Sequence, residues 1–158
     1  MTPFILVGAL VLLIVGAVIV YRFMLPQSVS PGSAQAGTAA IQSNHVAQID
    51  DALQELLRTG NEGGFVIVEI AGTEQFIQFA GSAREPILLD FPVISLSAEE
   101  LGRADALFGS IPGVKKTDEG FTVDFGTDTN AAARLGARVL AEVHGAGADA
   151  KLSISAGE

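Results

Sequence analysis

Few residues in this chain are equipped for chemistry. The two histidines are His45 and His144. Neither has a second histidine at metal-ligand spacing. His144 falls at the end of a predicted helix, where a cationic ring suits the partial negative charge of the last carbonyls. The carboxylate doublets Asp50-Asp51 and Glu99-Glu100 occupy outer-face or first-turn helix positions. General acid–base work by such a pair needs two carboxylates that face each other, and solvated helix charges are the plainer reading. Lys115-Lys116 reads as a solvated stretch of hairpin. Arg138 and Glu142 stand one helical turn apart and can pair, in the less favourable order. Cysteine is absent, which removes thiolate nucleophiles, disulfides and cysteine-based zinc sites. No phosphate-binding P-loop, G-x-G-x-x-G element or G-x-S-x-G elbow occurs. The expectation is a chain that is not an enzyme, with no catalytic residue, no cofactor and no metal.

Composition narrows the partners. The chain has 158 residues, 9 basic and 18 acidic, for a net charge of −9. Beyond position 26 it carries 8 basic and 18 acidic groups. So acidic a surface repels phosphate backbones, which argues against nucleic acid as a partner.

Residues 1–25 read as a single transmembrane anchor. No charge interrupts Phe4 to Tyr21, and 18 helical residues span roughly 27 Å, close to a hydrocarbon core of about 30 Å. A cleaved signal peptide is the rival reading, but it calls for a basic leading region and a shorter apolar run. Arg22 is the one basic residue near either end of the span. By the positive-inside rule it places the following domain in the cytoplasm, with a periplasmic or extracellular domain as the alternative. Residues 26–44 are rich in Ser, Gly, Ala, Gln and Pro and uncharged. They read as a flexible linker with a root-mean-square reach of about 25 Å.

Residues 45–145 read as an α+β domain, and 146–158 as a C-terminal tail, with "KLSIS" as a possible short strand. Val46, Ile49, Leu53, Leu56 and Leu57 form one face of a predicted helix. "FVIVEIAGTEQFIQFAG", residues 65–81, predicts a hairpin with Gly72-Thr73 as a two-residue turn. In that register Val66, Val68, Ile70, Ile77 and Phe79 share an apolar face. Phe65, Ile67, Glu69, Phe76 and Gln78 share the other, which mixes three large apolar groups with two polar ones. "ILLDF" follows as a third strand, with Leu88 and Asp90 on the side opposite Ile87, Leu89 and Phe91. Ser97 and Glu100 have the spacing of a capping box, with Leu96 and Leu101 as its hydrophobic staple, at the start of a helix whose inner face is Leu101, Ala104 and Phe108. Gly102 in that helix suggests close packing. A second hairpin turns at Asp118-Glu119-Gly120. The last helix runs from about Thr129 to His144, capped by Asp128, with Ala132, Leu135, Gly136, Val139 and Val143 inward. The fold class is therefore an antiparallel sheet with helices on one face, in the order α-β-β-β-α-β-β-α, behind one N-terminal transmembrane helix.

The stretch Phe65–Gly81 with its "FIQFAG" strand, followed by "ILLDFPVISLSAEEL", resembles the bacterial YbjN and type III secretion chaperone-like group over residues 46–145. The resemblance implies a small, acidic, non-enzymatic fold that binds protein or peptide segments and that pairs with itself as a homodimer. A transmembrane anchor is not usual for the secretion chaperones. The combined expectation is a membrane-anchored module that holds a protein or peptide partner on the face carrying Phe65, Ile67, Glu69, Phe76 and Gln78. The alternative is an assembly subunit that forms a homo-oligomer through that same face.

Overall fold

The computed structural model describes residues 32–147 and 149–157. The predicted anchor, residues 1–25, and the opening of the predicted linker lie outside them. Among the described residues no helix is long and apolar enough to cross a membrane.

Helix α1 runs Gly32–Thr59 and buries Ile49, Leu53 and Leu56. Its length corrects the linker: from Gly32 onward the expected tether is helical. Ala34, Ala36, Ala39 and Ala40 are the strongest helix formers, and Gln35 and Gln42 rank close behind. An apolar stripe is what docks a helix, so its absence says little about whether the helix forms.

Strands β1 (Phe65–Ile70) and β2 (Phe76–Ser82) pair in the expected register, with Val66 opposite Phe79, Val68 opposite Ile77 and Glu69 opposite Phe76. The turn is wider than expected. The Ile70 N–H donates to the Gln75 carbonyl at 3.0 Å, leaving a four-residue loop in which the Thr73 N–H donates to the Ile70 carbonyl at 3.0 Å. Gly72 is the third residue of that inner turn and has φ of 83°, a conformation a Cβ disfavours. The loop grows by a residue on each side, so the pairing is unchanged.

Strand β3 is Glu85–Pro92. Helix α2, Ala98–Phe108, begins with the expected capping box between Ser97 and Glu100. Its buried residues are Ala104, Leu107 and Phe108, whereas Leu101 is 36% exposed. The inner stripe is thus one position round from the expected one, and a Cβ at Gly102 would meet nothing within 4 Å. Close packing there is ruled out. Strands β4 (Lys115–Lys116) and β5 (Gly120–Asp124) form the second hairpin. Helix α3, Thr129–Arg138, is capped by Asp128, whose carboxylate accepts from the Ala131 N–H at 2.9 Å. It continues into a π-helical turn at Val139–Val143.

The short strand read at "KLSIS" in the expected C-terminal tail is strand β6, Leu152–Gly157, which runs two residues further and pairs antiparallel to β1 along its whole length, so this part of the tail belongs to the domain. Leu152 and Ile154 pack against the core, and exposed Ala156 continues their face of this edge strand. The observed order is therefore α-β-β-β-α-β-β-α-β, one strand longer than expected. The sheet runs β4-β5-β3-β2-β1-β6, all antiparallel.

One face of the sheet makes the core. Val66, Val68, Ile77, Phe79, Ile87 and Leu89 are fully buried together with Ile49, Leu53, Ala132, Val139 and Leu140 from the helices. Phe108 stacks between Phe91 and Phe121, at centroid distances of 5.6 and 4.5 Å. Alternate residues along the same strands are half-buried or exposed, as expected for a sheet with helices on one side.

Candidate functional site

Strand pairing brings the outward residues into rows. Phe65 faces Ala80, Ala80 faces Leu88, and Leu88 faces Asp124. In the next row Ile67 faces Gln78, Gln78 faces Asp90, and Asp90 faces Thr122. Glu69 faces Phe76 in the third. The five predicted contact residues therefore share one face. Phe65, Ile67, Phe76 and Gln78 are half-buried and Glu69 is exposed. Phe65 lies over its β6 neighbour: a methyl at Gly157 would come within 2.5 Å of its Cζ. Ala80 and Leu88 enlarge the apolar patch beyond the predicted set. They were missed because placing them needs the β2–β3 register, and a shift in that pairing between Ala80 and Ser82 has no sequence signal. Exposed Glu69, Asp90 and Asp124 lie on the same face and give the patch an acidic border.

At the Phe76 end the face opens into a cleft of about 190 Å³, whose walls include Phe76, Pro92, Leu96, Gln75, Glu100 and His144. Ile94, between Pro92 and Leu96 in the chain, is 93% exposed.

Glu100 and His144 are 44 residues apart and meet in the wall of this cleft, with Glu100 Oε1 at 3.2 Å from His144 Nδ1. The π-helical turn delivers the histidine: its N–H bonds to the Val139 carbonyl five residues back at 3.3 Å, and its ring sits edge-on to Phe91 at 5.6 Å. Glu100 also accepts from the Ser97 N–H at 3.0 Å, the Ser97 hydroxyl at 2.7 Å and Gln75 Nε2 at 3.1 Å. The Ser97 N–H, then the Ser97 hydroxyl, then His144 hold its carboxyl down to about 2, against a smaller upward push from burial. A carboxylate can only accept, so Nδ1 is the donor in this contact. Nε2 is fully buried and has no hydrogen-bond partner. A base must reach the proton it removes, and this nitrogen is sealed. The dyad has the composition of an acid–base pair but the access of a structural clamp. Sequence reading placed His144 at a helix end and Glu100 in a capping box; both hold, and their meeting is tertiary.

The other candidates do not converge. His45 Nε2 lies 2.9 Å from the Ala150 carbonyl, pinning α1 to the approach to β6. Lys116 pairs with Asp105 on α2 and lies over the Phe121 ring. Arg138 and Glu142 pair at 2.7 Å. No group of three metal-ligating side chains occurs among the described residues. No family model, curated protein or solved structure matches the chain.

Proposed function

We propose that this chain is a membrane-anchored, non-enzymatic module that captures a polypeptide on the open face of its sheet. One observation carries the reading: among the described residues the helices cover a single face, and the other presents Phe65, Ile67, Phe76 and Leu88 within an acidic rim, running into a cleft beside the exposed Ile94. The occupant that fits is an apolar segment with basic flanks. The anchor on residues 1–25 belongs to the same proposal, as do the cytoplasmic placement of the domain and kinship with the YbjN and secretion chaperone-like group. Tethering raises the effective concentration of the domain for partners at the bilayer.

The test is photo-crosslinking in intact membranes from single probes at Phe76 and Ile94, with exposed Glu119, on a hairpin turn, as the control position. Both probes should capture the same foreign polypeptide and the control should not. Capture of the protein's own copies alone would replace this reading with an assembly subunit that oligomerises through the face. Absence of any adduct would end both.

A further inference from the structure

We infer that two copies of this chain pair edge to edge through β6, joining their sheets into one. The inference rests on the free edge of the sheet and stands apart from the reading of the open face.

The two edges of the sheet are built differently. At one end β4 has two residues, both lysine, and short charged edges resist pairing. At the other, β6 runs six residues, Leu-Ser-Ile-Ser-Ala-Gly, with no charge, no proline and an unbroken register on β1. The hydrogen-bond phase of that ladder is fixed at its start. The Ala71 N–H donates to the Lys151 carbonyl at 2.8 Å, and Ile70 faces Leu152. Inward and outward bonding alternate along an antiparallel strand. Lys151, Ser153, Ser155 and Gly157 thus bond toward β1, while Leu152, Ile154 and Ala156 aim their N–H and C=O groups off the sheet. None of those groups has a hydrogen-bond partner among the described residues.

The strand is complementary to itself. A two-fold axis through Ile154 keeps outward groups opposite outward groups and is the one register that pairs all three outward residues of the strand. Ile154 then meets Ile154 of the second copy, Leu152 meets Ala156, and Ser153 meets Ser155. Large stands against small, hydroxyl against hydroxyl, and no like charges meet. The nearest acid on α1 at this end, Glu55, is already paired with Arg58 at 2.7 Å. The pairing would set two open faces side by side.

The absence of cysteine makes the test clean. Ser153 and Ser155 would form non-hydrogen-bonded pairs across the axis, with Cα atoms about 4.5 Å apart, within disulfide range. Full chains carrying Ser153→Cys or Ser155→Cys, with different tags, are co-expressed in membranes and oxidised. The mixture should give a disulfide-linked heterodimer, while either variant alone gives little. No product from the mixture, or equal products from all three samples, overturns the inference. Ala156→Pro provides the second arm. It removes an outward N–H and leaves the β1 ladder intact. Placed on both cysteine variants, it should lower the heterodimer yield about tenfold, since each dimer loses two hydrogen bonds, with the melting temperature unchanged. Undiminished crosslinking with that proline would equally refute the pairing.

Discussion

Replacing Glu100 by glutamine keeps the side-chain shape and removes the charge that four donors surround. The carboxyl sits at about 2, against an ordinary value of 4.5. Each pKa unit is worth about 1.4 kcal/mol, so the shift corresponds to about 3 kcal/mol as an upper figure, and about 2–3 kcal/mol is the working range for a side chain with 15% of its surface exposed. A lowered carboxyl pKa stabilises the fold above the unfolded value, and the contribution is lost as pH falls through the folded one. The wild-type chain should therefore exceed Glu100→Gln by about 2–3 kcal/mol near neutrality, with the gap closing between roughly pH 4.5 and pH 2, because a protonated Glu100 and a glutamine are both neutral. Other carboxylates also titrate in that window, but they are common to both chains and cancel in the difference. The assay is urea unfolding of the full chain, followed by circular dichroism across that pH range. A gap that stays constant with pH would refute the assignment, as would a gap below about 0.5 kcal/mol near neutrality.

Two further substitutions test the packing that positions the face. A Cβ at Gly136 would stand 2.8 Å from both Ile77 Cδ1 and Phe79 Cζ, where α3 rests on the sheet. Gly136→Ala should destabilise by about 1–2 kcal/mol despite a helix-propensity gain of up to about 1 kcal/mol, and a rise in the urea midpoint would contradict it. Phe108→Ala removes the middle ring of the Phe91–Phe108–Phe121 stack and should cost about 3–5 kcal/mol, with Phe108→Leu recovering much of it. A loss under about 1 kcal/mol from the alanine variant, by the same unfolding assay, would show that the stack is not central to the core.

Local signals were legible and long-range ones were not. The first hairpin's register followed from centring its turn on Gly72-Thr73, and a one-residue slip of either strand would have put Ile77 and Phe79 on the face opposite Val66 and Val68. The capping box at Ser97 and Glu100 is complete within four residues. By contrast, β6 alternates two large apolar residues with serines and follows a glycine-rich stretch, a pattern that a frayed end shares. What fixes it is β1, some eighty positions earlier in the chain. The five contact residues share a face as read, but Ala80 and Leu88 join them through β3. The cleft needs β2, the β3–α2 connection, α2 and the end of the π-helical turn, and each contributes a residue that looks ordinary by itself.

The clamp also bears on how a partner would be held. Gln75 precedes Phe76 and is bonded to Glu100, which is bonded in turn to Ser97 and His144. One carboxylate thus ties the start of β2, the start of α2 and the end of the last helix around the same cleft. The open face is equally fixed, because its side chains project from strands paired on both sides through β1, β2 and β3. A surface preformed in this way has little freedom to lose on binding, so the ordering cost of capture falls on the incoming segment. Weakening the clamp should then loosen capture at the cleft end before it disturbs the Phe65 end, where the ring is seated on Gly157 and β6.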